Sequence, residues 1–118
     1  MDYRSPTDHT VQANGLRLHY LAWGDPAAPP LVLLHGAGNT AHTWDFCAPS
    51  LAERYWVLAL DLRGHGESDW ASDYSWSARV ADTVAFLHAL GRSRAALMGL
   101  SLGGMTAYMT AAQHPEVV

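Results

Sequence analysis

The stretch Ala95-Ala96-Leu97-Met98-Gly99-Leu100-Ser101-Leu102-Gly103-Gly104-Met105 joins an apolar run, a G-x-S-x-G turn and an apolar segment that reaches Gln113 before Pro115. The pattern predicts a short strand over Ala95 to Met98, a tight turn at Ser101 and a helix from Leu102 to Gln113. A serine at such a strand-to-helix turn has its hydroxyl lifted clear at the carboxyl edge of the sheet. Glycines two residues to either side keep side chains out of the place where the chain folds back. Strand, turn and helix in this order make Ser101 a candidate nucleophile, not an incidental turn residue.

Upstream, Leu31-Val32-Leu33-Leu34 is a continuous apolar run, as expected of a strand buried on both faces. His35-Gly36-Ala37-Gly38 follows it directly. A loop in this place can donate a backbone N–H to an oxyanion, together with the residue after the nucleophile. The donors would be Ala37 and Leu102, with Gly38 a close alternative to Ala37. Trp56 to Leu60 reads as a second buried strand, closed by Asp61. Around Thr43 to Arg54 a helix is expected.

Towards the start, Val11-Gln12-Ala13, Asn14-Gly15 and Leu16 to Trp23 read as a hairpin, because Asn-Gly suits a type I′ turn. Gly24 to Pro30, with three prolines, is a loop. Trp76 to Leu90 predicts a helix with Val80, Val84, Leu87 and Leu90 on one face, Ser75 as N-cap and Gly91 just past its end. Strands alternating with helices place the chain in the α/β class. The expected architecture is a mostly parallel sheet with an N-terminal hairpin, flanked by helices.

Composition excludes several functions. The 118 residues are 49% hydrophobic and 15% charged, which fits a single compact domain burying about 65% of its unfolded surface. No apolar run approaches the roughly 20 residues of a membrane span, and the polar start from Met1 to Asn14 lacks the apolar core of a secretory signal. Net charge is −4, and the seven basic residues are all arginines scattered from Arg4 to Arg94, which argues against nucleic acid as a partner. Without any lysine the chain cannot carry a Walker A loop, a Schiff base or a Tyr-x-x-x-Lys dehydrogenase site. The single cysteine, Cys47, cannot close an internal disulfide, so a cytoplasmic location is expected. None of the seven histidines has metal-ligand spacing, so neither a metal nor a cofactor is expected.

A second pattern competes for the same residues. Gly36-Ala37-Gly38-Asn39-Thr40-Ala41 reads as G-x-G-x-x-A after a strand, and Asp61 lies where a ribose-binding acid would stand. Against dinucleotide binding stand the preceding hairpin, the missing lysine and the unexplained Ser101 turn. The loop Asp61-Leu62-Arg63-Gly64-His65-Gly66-Glu67-Ser68 reads as structural, with Asp61 and Arg63 satisfying buried backbone groups. His9, His19, His42 and His88 read as surface or partly buried positions. Trp44, Trp70 and Trp76 read as core or loop packing.

Taken together, the His35–Gly38 turn, the Asp61–Ser68 loop, Gly99–Gly104 and Ala111-Ala112-Gln113-His114-Pro115-Glu116 resemble the α/β-hydrolase superfamily over roughly residues 11 to 118. Met98 to Met105 looks like enol-lactonases and related small-ester hydrolases. Ser101 departs from haloalkane dehalogenases and epoxide hydrolases, which carry an aspartate there. The resemblance implies the N-terminal half of the fold, residues 1–118 forming a single partial domain with strands one to five and the nucleophile elbow. It implies a serine hydrolase acting on a small-molecule carboxylic ester or lactone through an acyl-enzyme. The acid and histidine of the triad should follow the nucleophile. Only Glu116 and His114 do, and His114 lies roughly 20 Å along the helix from Ser101. The base and acid are therefore expected from outside these residues, His35 being the sole neighbouring ring. A non-catalytic scaffold or receptor-like fragment is the alternative. The Ala95–Met98 strand, mid-sheet in the family, becomes a bare edge, which implies a homo-oligomer, a domain swap or a complementing chain.

Overall fold

A computed structural model describes residues 5–118; Met1 to Arg4, the first part of the polar start, lie outside the described residues. Five strands, β1 (Thr7–Ala13), β2 (Leu16–Trp23), β3 (Pro30–Leu34), β4 (Trp56–Leu60) and β5 (Ala96–Gly99), form one sheet. Their order is β1-β2-β4-β3-β5. β3 pairs parallel with both β4 and β5, whereas β2 runs antiparallel to β1 and β4. The sheet is thus mixed, parallel on the side that carries Ser101.

The hairpin turns at Asn14 and Gly15, whose φ angles of 51° and 78° are both positive, as a type I′ turn requires. β1 starts at Thr7, earlier than the apolar pattern suggests, because its side chains are mostly exposed and carry no alternation.

The reason for the apolar run in β3 is visible in the core. Val32 and Leu34 join Leu18, Tyr20, Leu58, Leu60, Phe86 and Leu87 on one face. Leu31 and Leu33 join Leu21, Trp23, Val57, Ala59, Trp44 and Ala48 on the other. Both faces are covered, so no position in β3 after Pro30 is free to be polar.

Helices α2 (Trp76–Ala89) and α3 (Leu102–Gln113) pack on the first of these faces. The Ser75 hydroxyl accepts from the Ala78 N–H at 3.2 Å and caps α2. At its other end Gly91 adopts φ 73°, with Gly91 N–H donating to His88 and Arg92 N–H to Leu87. That pair of bonds is a Schellman closure. The buried face includes Val80, Thr83, Phe86 and Leu87, while Val84 and Leu90 are half-buried. It is rotated towards Phe86 relative to the face read from the sequence.

The helix expected over Thr43 to Arg54 is two short pieces instead, a 3-10 turn at Ala41–Trp44 and the helix α1 (Ala48–Leu51). Pro49 stands in the first turn of α1. Proline has no N–H and collides with the carbonyl four residues earlier, so a helix cannot continue through it from Thr43.

β5 ends the sheet on its side opposite β1. Met98 there is 39% exposed. Among the described residues no helix is long and apolar enough to cross a membrane.

Candidate active site

Ser101 sits between β5 and α3 with φ 55° and ψ −113°, a conformation that residues with a side chain rarely adopt. Crowded backbone holds it there. Leu100 N–H donates to the Leu34 carbonyl at 3.0 Å, tying the turn to the end of β3. A Cβ on Gly99 would collide with the backbone of Gly103 and Gly104, and one on Gly103 with the carbonyls of Leu34 and His35. The two glycines of the motif are therefore steric requirements of the turn. α3 starts at Leu102, so its first N–H groups have no intrahelical acceptor and concentrate positive potential beside Ser101.

The His35–Gly38 loop lies against this turn. A Cβ on Gly36 would stand 3.5 Å from the Leu100 carbonyl and 3.6 Å from the Ser101 Cβ. Asn39 N–H closes the loop onto the Gly36 carbonyl at 3.1 Å. Among the described residues the backbone N–H groups of Ala37, Gly38 and Leu102 donate to no protein acceptor. The loop and the serine, predicted from separate motifs, are neighbours.

His35 is no base. Its ring is buried, Nε2 accepts the Leu62 N–H at 3.0 Å, and Nδ1 donates to the Gly36 carbonyl at 2.8 Å. The backbone donor makes Nε2 the bare nitrogen, so both ring nitrogens are occupied by structure. Burial holds its pKa below the usual histidine value, against the pull of the Gly36 carbonyl, and the neighbouring His65 lowers it further. His114 and Glu116 face each other at 3.3 Å beyond the far end of α3. Among the described residues no side chain hydrogen-bonds the Ser101 hydroxyl.

Asp61 anchors the neighbouring loop. One carboxylate oxygen accepts the Ala41 N–H at 2.7 Å and the other the Glu67 N–H at 3.0 Å, as expected of a residue satisfying buried backbone. Arg63 donates to the Asp73 carbonyl at 2.6 Å and forms a buried fork with Asp82 at 2.7 and 2.8 Å. The dinucleotide reading loses its geometry here. Gly36–Ala41 leads into a 3-10 turn instead of a helix N-terminus, and Asp61 is engaged inside the protein.

Sequence reasoning missed the part played by His19, expected at a surface or partly buried position and in fact buried. Its Nδ1 lies 2.7 Å from Asp61 Oδ2 and its Nε2 2.8 Å from Asp8 Oδ1. Burial depresses its pKa, but the hydrogen bonds to Asp61 and Asp8 outweigh burial and leave it raised. Alternation along β2 offered no signal, since β2 is buried on both faces from Leu18 onward. Trp44 packs in the core as expected, whereas Trp70 stands 81% exposed.

Residues 29–118 match the family model described as the alpha/beta hydrolase fold. The chain is 37% identical over 111 residues to epoxide hydrolase 4 of Mus musculus, covering 92% of this chain and 31% of that protein. It is 40% identical over 115 residues to an esterase of Mycobacterium tuberculosis, covering 96% of this chain and 37% of the esterase. The chain thus spans about a third of the length of the curated relatives it matches. A solved membrane phospholipase A, a bacterial virulence factor, overlays with a TM-score of 0.93 at 36% identity, covering 98% of this chain and 38% of that one. Epoxide hydrolase A from Mycobacterium thermoresistibile overlays with a TM-score of 0.92 at 30% identity, covering 97% and 37%. The five-stranded sheet and its helices match the N-terminal half of that fold.

Proposed function

Because this chain belongs to the alpha/beta hydrolase fold family, we propose that it carries the nucleophile half of a serine hydrolase acting on a carboxylic ester or lactone. The observation that carries the reading is Ser101 itself, held at φ 55° at the head of α3 with Gly36 at its back. In this reading the Ser101 Oγ adds to the substrate carbonyl carbon as a histidine base takes its proton. The carbonyl oxygen becomes an oxyanion, which the N–H groups of Ala37 and Leu102 receive. Collapse breaks the bond to the leaving alkoxide, which takes the proton and departs as the alcohol. Water then hydrolyses the acyl-enzyme by the same path.

Relatives named for epoxide and for ester hydrolysis stand at similar identity, so family membership does not choose between them. The serine does. The family resemblance expects an aspartate where epoxides are opened, and position 101 is a serine. In this reading the acid and the base are supplied from outside these 118 residues, since His35 is committed on both nitrogens and His114 pairs with Glu116 beyond the far end of α3. That commitment also favours a second reading, a fragment that keeps the elbow and not the chemistry.

Intact-mass analysis after a fluorophosphonate probe, on this chain and on Ser101→Ala, tests whether the serine is activated within these residues. One adduct on the parent and none on Ser101→Ala supports a hydrolase whose serine is activated. No adduct on either means that Ser101 lacks its base within these residues, and any catalysis belongs to a longer chain or a partner.

A further inference from the structure

Away from the elbow, Asp8 on β1, His19 on β2 and Glu67 in the loop after β4 bring three ligand atoms to one point. His19 Nε2 stands 2.8 Å from Asp8 Oδ1 and 3.4 Å from Glu67 Oε2. All three atoms lie within 4.8 Å of one another. From these contacts we infer that Asp8, His19 and Glu67 form a binding site for a first-row divalent transition ion, of which Zn²⁺ is the representative.

The donor set suits such an ion, one imidazole nitrogen and two carboxylate oxygens with room for solvent at a fourth position. Bonds of about 2.0 Å in a tetrahedron place ligand atoms about 3.3 Å apart. The spacings of 2.8 and 3.4 Å bracket that value. The two carboxylates are 68% and 67% exposed, so they can adjust, while the ring between them is buried and fixed.

What fixes the ring is a second, independent contact. Asp61 Oδ2 lies 2.7 Å from His19 Nδ1, on the side turned away from the cluster. Asp61 is itself pinned by the Ala41 and Glu67 N–H groups. A carboxylate behind the ring directs Nε2 outwards as the ligating atom and raises its basicity, the arrangement usual around ligating histidines. Two carboxylates face the site and a third stands behind the ring, so an ion of charge +2 bound at Nε2 meets a strongly favourable field.

Binding here would brace β1, otherwise an edge strand, to the loop that follows β4. No motif announces the site because its ligands are far apart in the chain. The fold alone assembles them.

The test is titration of the full chain with Co²⁺, followed by its visible absorption, and competition with Zn²⁺. The expected result is one saturable Co²⁺ per chain, displaced by Zn²⁺. Asp8→Asn and Glu67→Gln alter exposed side chains, keep the fold by circular dichroism, and each weaken binding roughly tenfold or more. His42→Ala, at the exposed pair of His42 with Asp45, leaves binding unchanged. The inference is overturned by a lack of saturable uptake, by uptake indifferent to both carboxylate variants, or by uptake lost in His42→Ala.

Discussion

Gly103 and Leu34 are in direct backbone contact: α3 comes so close to the end of β3 that a Cβ on Gly103 would overlap the Leu34 carbonyl. This contact seats the elbow on the sheet. Gly103→Ala is expected to destabilise the protein by about 3 kcal/mol or more, because backbone and not a flexible side chain must yield. Gly104→Ala is milder, its Cβ standing 3.3 Å from the Gly99 carbonyl. Urea denaturation of the two variants checks the order, and equal midpoints would overturn it.

Ser101 stores strain in its positive φ. Ser101→Gly relieves it, while glycine adds freedom to the unfolded chain; the net expectation is a gain of about 1 kcal/mol. Ser101→Ala keeps the strain and gains nothing. A urea midpoint for Ser101→Gly at or below that of Ser101→Ala would count against a strained elbow.

The buried His35 ring makes stability depend on pH. Its folded pKa lies below the ordinary 6.5, so its contribution is fully present above that value and is lost as pH falls through the folded pKa. Relative to His35→Gln, the parent is expected to lose stability on acidification over that window. His35→Gln itself costs about 1–3 kcal/mol at neutral pH, since a buried partner of the Gly36 carbonyl or the Leu62 N–H is lost. Parallel stability profiles for the two proteins would show that His35 does not titrate on unfolding.

β5 pairs with β3 on one side and ends the sheet on the other. Exposed strand edges recruit other strands. Sedimentation at tens of micromolar is expected to give a species heavier than 12.8 kDa, through self-association, a swap or a complementing chain. A well-folded monomer at that concentration would refute it.

Much of this was legible along the chain, and for local reasons. The Asn14-Gly15 turn, the Ser75 cap, the Gly91 closure and the two-sided burial of Leu31 to Leu34 follow from neighbouring residues, and the structure has them where the pattern places them. Where a propensity was continuous but one residue broke it, as at Pro49, the helix read over Thr43 to Arg54 divided.

The α/β class, the turn at Ser101 and the small residues around it are written locally along the chain, because strand, glycine and helix signals act over a few positions. Only the folded sheet brought Gly36 behind Ser101, closed both nitrogens of His35, and gathered Asp8, His19 and the Glu67 and Asp61 pair from three separate segments. Register and strand order decide such meetings. They depend on which strands pair across the sheet, which no periodicity in a single segment encodes.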